Sequence, residues 1–306
     1  MCWPRFRMDG HAATLKTERE MRKFILSALT MLLCGSAYAL PVGNPTEASL
    51  YTNGVWWSRS SCDPCDPCGS WCDAFSVRLG FYGDYVFNRH LEVKSSSADI
   101  DRTQIFTNAG IVVLNVFDWI DIFGTFGATS ITLSTDPEVF HSVTGELIGC
   151  VYSPEFSWSV GGRATLWECG CFGVGIEGQY FRTQPNLDRI YHDVNIFHPS
   201  TNNGATYSEW QVGVGASYTF TTGCPGIAFI PYMGLKWAGS TFNMNTSSGG
   251  NTQANTNFYR FSDLEADKLW GYAVGLTAVV NEVVGATVEA RFGDEKAVSA
   301  TMQIRF

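Results

Sequence analysis

Ala297-Val-Ser-Ala-Thr-Met-Gln-Ile-Arg-Phe306 closes the chain on a strict alternation. Val298, Ala300, Met302, Ile304 and Phe306 share one face; Ser299, Thr301, Gln303 and Arg305 share the other. A period of two is the signature of a β-strand with one apolar and one polar side. The pattern recurs upstream. Phe75, Val77, Leu79, Phe81, Tyr85 and Phe87 oppose Ser76, Arg78, Gly80, Tyr82, Asp84 and Asn88. Trp158, Val160, Ala164 and Leu166 oppose Ser159, Arg163 and Thr165, and Phe172, Val174, Ile176 and Tyr180 oppose Gly173, Glu177 and Gln179. The runs at 210–220, 270–278 and 284–292 follow the same rule.

Alternation alone suits a soluble β-sandwich as well as a membrane barrel. Three features favour lipid. The segments reach about 10 residues or more, the length of a tilted membrane strand. Aromatics stand near segment ends (Phe75, Phe87, Trp158, Trp210, Phe220, Trp270, Phe292), where an interfacial girdle belongs. The polar face carries charges mid-strand, which a dry sandwich core tolerates poorly. A final strand ending on the aromatic Phe306 also resembles the assembly signal of outer-membrane barrels.

Connections alternate short (115–118, 168–171, 221–226, 281–282) and long (91–102, 134–155, 183–206, 243–266). Short periplasmic turns and longer outside loops are the rule for such barrels. Strands are therefore expected near 75–89, 103–115, 119–133, 156–167, 172–182, 207–220, 227–242, 268–280, 283–292 and 297–306. The fold class is all-β, an antiparallel transmembrane β-barrel of the outer membrane with an even number of strands. Ten are read, and the long segments leave room for up to about 16.

The N-terminus supplies the export route. Arg22 and Lys23 precede the apolar stretch Phe24–Cys34 and the small-residue site Ala37-Tyr38-Ala39, the pattern of a secretory signal peptide over 21–39. Residues 1–20 read as an extension upstream of the true initiator Met21. The exported chain would start at Leu40, with 40–73 a Cys-rich periplasmic segment and 74–306 the barrel. Cleavage removes six basic and three acidic residues, taking the net charge from −9 to −12. Such an acidic chain lacks the basic footprint of a nucleic-acid binder.

Export also settles the chemistry of Cys62, Cys65, Cys68 and Cys72, whose C-x2-C-x2-C-x3-C spacing is that of a bacterial ferredoxin. Outside the reducing cytosol these residues read as disulfide or crosslinking thiols, with no cofactor and no metal. Cys169, Cys171 and Cys224 fall in short turns on the same side, and Cys150 in an outside loop. Thiols gathered on one rim suit bonds between molecules. The polar strand face nominates Arg78, Asp84, Arg163, Glu177, Arg182, Gln211, Glu289, Arg291, Gln303 and Arg305 as pore-lining. Those side chains either fill a closed lumen with salt bridges or line a pore of weak selectivity.

An enzyme is the weaker reading. No G-x-S-x-G, H-E-x-x-H or P-loop pattern occurs, and Tyr191-His192-Asp193 sets a base beside a carboxylate only in sequence. The polar stretch 243–257 has the composition of an exposed loop, which admits an adhesive role.

Several motifs resemble the chlamydial major outer membrane protein family, the cysteine-rich porins of those bacteria. They are Leu40-Pro-Val-Gly-Asn-Pro45, the run from Cys62 to Cys68 with Trp71-Cys-Asp-Ala74, Ser159 through Cys171, Glu209-Trp-Gln211, Pro231-Tyr-Met-Gly-Leu-Lys-Trp237 and the terminal strand. The resemblance spans the exported chain, with shorter surface loops and no counterpart for residues 1–20. It implies an outer-membrane porin passing small hydrophilic solutes. It also implies a disulfide-linked structural element of the envelope, joined to itself as a homo-oligomer and to other cysteine-rich envelope proteins.

Overall fold

The computed structural model describes residues 41–55, 74–94, 100–135, 148–192, 195–198, 204–221, 226–244 and 263–306. The extension, the signal peptide, Cys62, Cys65, Cys68, Cys72, Cys224 and most of 243–257 lie outside them. In chain order the elements begin with the short helix α1 (Glu47–Leu50), then β1 (Phe75–Arg89), β2 (Leu91–Val93), β3 (Arg102–Val116), β4 (Ile120–Thr135) and β5 (Ile148–Cys169). Next come β6 (Phe172–Thr183), β7 (Leu187–His192), β8 (Asn195–Phe197), β9 (Ala205–Tyr218) and β10 (Phe220–Thr221). The last five are β11 (Ile227–Met244), β12 (Leu264–Ala266), β13 (Trp270–Val280), β14 (Val284–Phe292) and β15 (Glu295–Arg305).

Ten of these strands make a closed antiparallel barrel, ordered β1, β3, β4, β5, β6, β9, β11, β13, β14, β15. The ring shuts where β15 pairs with β1, Tyr82 opposite Thr301. All ten segments read from the alternation are present. The extra strand held in the long connections adds nothing to the circumference. β7 and β8 extend from β5, and β12 with β2 continues the loop end of β11.

Closure has a physical cause. A lipid-exposed sheet edge would leave amides and carbonyls unpaired in hydrocarbon, at several kcal/mol each on the scale of about 4–8 for transfer to an apolar solvent. Two turns at the opposite end from the loops are tight enough to need left-handed backbone. Phe117 and Asp118 both sit at φ 56, and Asn281 and Glu282 at φ 53 and 59. Asn115 supports the first by accepting the Asp118 amide at 3.0 Å.

The apolar faces point outward. On β1, Phe75, Val77, Leu79, Phe81, Tyr85 and Phe87 are exposed while Ser76, Arg78, Tyr82 and Asp84 are buried. Aromatic groups collect toward both rims. At the turn end Trp167 meets Phe172 edge-on at 5.9 Å and Phe75 lies 6.4 Å from Phe117. Toward the loop end Trp210, Trp237 and Trp270 follow one another across β9, β11 and β13, at 5.0 and 6.3 Å. Two such belts bracket the hydrocarbon band of an outer-membrane barrel.

The lipid-facing assignment predicts a depth-dependent penalty. Leu235→Arg, near the middle of β11, should destabilise the refolded protein in vesicles by about 2–4 kcal/mol, and Val280→Arg at a strand end by about 0–1. Urea unfolding followed by tryptophan fluorescence reads both; equal effects would refute the assignment.

Candidate functional site

Inward-facing positions gather fifteen buried charged residues among those described, nine acidic and six basic. Isolated charges cannot stay buried, so each needs a partner. Near the turn end Arg305 reaches Asp118 at 3.1 Å, and Arg78 pairs with Asp121. Higher up, Arg163 holds Glu177 at 2.7 Å. Toward the loops Arg89 contacts Asp294 at 3.0 Å and Glu209 at 3.3 Å, while Arg291 binds Glu295 at 2.9 Å and also Asp84. Lys236 stands 4.0 Å from Asp294. Above this ionic layer an apolar cluster fills the loop end, with Leu91, Ile105, Leu133, Tyr207 and Phe242 among its members.

The space between the ionic groups is occupied by the chain's own N-terminal segment. Residues 41–48 are buried inside the barrel and 49–55 continue toward its turn end. One carboxylate clamps two successive amides: Glu289 accepts from Val42 at 2.9 Å and Gly43 at 2.8 Å. Gln211 donates to the Pro41 carbonyl at 2.7 Å, and Asn44 to Thr277 at 3.0 Å. The Thr46 hydroxyl meets Ser217 at 2.7 Å. Glu47 pairs with Arg163 and accepts from Gln303 at 2.9 Å, and its carbonyl accepts from Arg78 at 3.1 Å. Asn115 takes the Ala48 carbonyl at 2.9 Å and Arg305 the Tyr51 carbonyl. Gly43 has φ +64, and a side chain there would run into Arg163. Beside the segment lies a cavity of about 30 Å³ bordered by Gly43, Glu47, Arg163 and Tyr232, room for about one water.

The structure therefore corrects the expectation that 40–73 is wholly a periplasmic segment, since 41–55 lie in the lumen. It turns the side chains of Arg78, Asp84, Arg163, Glu177, Gln211, Glu289, Arg291, Gln303 and Arg305 inward, all of them buried. Arg182 is a correction. It shares the outward face of β6 with Phe172, Ile176 and Tyr180, because its even number puts it out of phase with Glu177 and Gln179. Cys150 is a second correction. It lies on β5 inside the apolar cluster at 0% exposure and cannot reach another molecule. Cys169 and Cys171 are free, exposed thiols at the β5–β6 turn.

Asp121, Glu209 and Lys236 went unread although the alternation marks them. Each stands between outward residues: Ile120 and Ile122, Trp210, and Leu235 with Trp237. Arg89, Asp294 and Glu295 sit where strands meet the loops, and no period flags them.

A family model described as Chlamydia major outer membrane protein matches residues 21–102 and 146–203. The chain is similar to a major outer membrane porin of Chlamydia pneumoniae, at 31% identity over 94% of this chain and 99% of the relative. It is 29% identical to one of Chlamydia psittaci over 94% of this chain and all of the relative. The first alignment runs to 393 positions, more than the chain's own 306 residues, so the relative carries residues absent here. Among solved structures, the β domain of the Bordetella autotransporter BrkA is similar with a TM-score of 0.43 and 10% identity, covering 76% of this chain and 100% of that one.

Removing one member of the ionic layer should be costly. Arg163→Ala leaves Glu47 and Glu177 buried without their cation and is expected to destabilise by about 3–5 kcal/mol. Arg182→Ala, on the outer face, should stay within about 0.5. Comparable shifts of the urea midpoint would contradict the inward and outward assignment.

Proposed function

The chain belongs to the Chlamydia major outer membrane protein family, and from that premise we propose that it is a porin for ions and small hydrophilic solutes. The outer membrane is its location and lipid contacts its outer surface. The observation that carries the reading is the charged, hydrogen-bonding interior enclosed by an apolar exterior. Ten strands stand close to the eight at which side chains alone fill a barrel, far from the 16–18 of wide aqueous porins, so the path is narrow. In the conformation described the N-terminal segment occupies the lumen toward the turn end and the apolar cluster packs the loop end, so both ends are obstructed among the described residues.

That closure favours a second reading, a sealed barrel with a purely structural role. Planar-bilayer recording of refolded protein separates the two. Discrete channels are expected, with a reversal potential of cation-preferring sign, since acidic groups outnumber basic ones inside. Silence at every voltage would remove the porin.

The structural role in the envelope rests on thiols at the turn end. Short turns face the periplasm in barrels of this kind, which places Cys169 and Cys171 in an oxidising compartment. Both are exposed and separated by a single residue, which suits bonds to neighbouring molecules of this protein or to other cysteine-rich envelope proteins. Non-reducing gels should show multimers that collapse on reduction. Cys169→Ser with Cys171→Ser should thin those bands, and Cys150→Ser should leave them unchanged. A monomer under both conditions would overturn the crosslinking role.

A further inference from the structure

The N-terminal segment does more than fill space: its seat is cut to its shape. Glycines on four strands open a groove where it lies. A Cβ at Gly234 would stand 2.8 Å from the Val42 side chain and one at Gly213 would stand 3.2 Å from it. At Gly215 it would meet Pro45 at 3.2 Å. At Gly173 it would run into the Thr46 methyl, and at Gly285 its three nearest atoms would all belong to Tyr51. Glycine is a poor strand residue, and inside a strand it commonly marks close approach of another backbone.

The seat is also polar. Glu289, Gln211, Arg78, Asn115 and Arg305 hold the segment by its main chain, and Arg163 with Gln303 by the Glu47 carboxylate. A segment bound by hydrogen bonds and ion pairs exchanges these for water when it leaves, at a modest net cost for each bond. The apolar cluster at the loop end contains no residue of 41–55, so it does not hold the segment in place.

On the porin reading, we infer that residues 41–55 are a built-in, releasable plug. The glycine groove and the Glu289 and Arg163 contacts form its receptor, and its withdrawal through the turn end widens the inner half of the pore. The plug is autoinhibitory. A segment of the chain itself occupies the inner lumen, and the groups it uncovers when it leaves are the charged residues that line the path.

Protease protection and conductance, measured on the full chain, test this. A glutamate-specific endoprotease cuts after Glu47 only when that residue leaves the lumen. Gly173→Val with Gly285→Val places its added atoms against Thr46 and Tyr51 while leaving every lumen charge in place. Release of the 47–48 cut, read by mass spectrometry, should be about tenfold faster or more in this variant than in the parent, because overpacking disfavours the seated state. Single-channel conductance should rise severalfold. Heat-modifiable gel mobility confirms the fold, and Gly173→Ala serves as the milder variant where the double change does not assemble. Equal cutting at Glu47 in parent and variant overturns the seated plug. Faster cutting with unchanged, non-zero conductance overturns its gating role and leaves the porin standing. Faster cutting with no channels in either protein removes the porin reading itself, and the gate with it.

Discussion

Hydrocarbon offers no hydrogen-bond partner to a peptide group, and every other feature of this molecule follows from that. A strand crossing the membrane must have a neighbour on each side, so the first and last strands have to meet. They do, with Arg78 opposite Arg305 and Tyr85 opposite Val298 along a shared ladder. Once the ring is closed, the two faces of every strand differ absolutely. One is solvated by lipid and the other by whatever occupies the lumen.

Ring size then decides what that occupant must be. With ten strands the interior is too wide for inward side chains alone and too narrow to be a broad aqueous channel. Three materials share the space. Apolar side chains pack beneath the long connections, an ionic layer bridges β1, β9, β11, β14 and β15, and residues 41–55 occupy the lumen toward the turn end. Arg163 shows why the layers depend on each other. It holds Glu177 from its own barrel wall and Glu47 from the inserted segment, so one guanidinium ties the wall to the segment.

Alternation reads well wherever one face of a strand is lipid and the other is lumen. It located the ten barrel strands, and it would have placed Asp121, Glu209 and Lys236 inward had it been applied to every polar strand residue. Arg182 shows the converse. A charge near a strand end suggests a lumen residue by type, yet phase puts it on the outer face, where a long side chain can reach the headgroup region. Cys150 failed for another reason. The segment 134–155 lacks a clear period, so nothing local shows that β5 starts at Ile148 and turns this thiol into an apolar cluster.

What the chain determined by itself is its periodicity: which side chains meet lipid, which face inward, and where short turns must come. These are local properties, because a period of two follows from backbone geometry alone. The fate of residues 41–55 was decided only by tertiary structure. The segment has no membrane periodicity, and the partners that hold it lie as far as 256 residues away, as Gln303 does from Glu47. Glycines at 173, 213, 215, 234 and 285 are scattered over four strands, and only closure sets them around the segment. Contacts between strands far apart in sequence are set by how the ring closes, so the seat exists only once the barrel does.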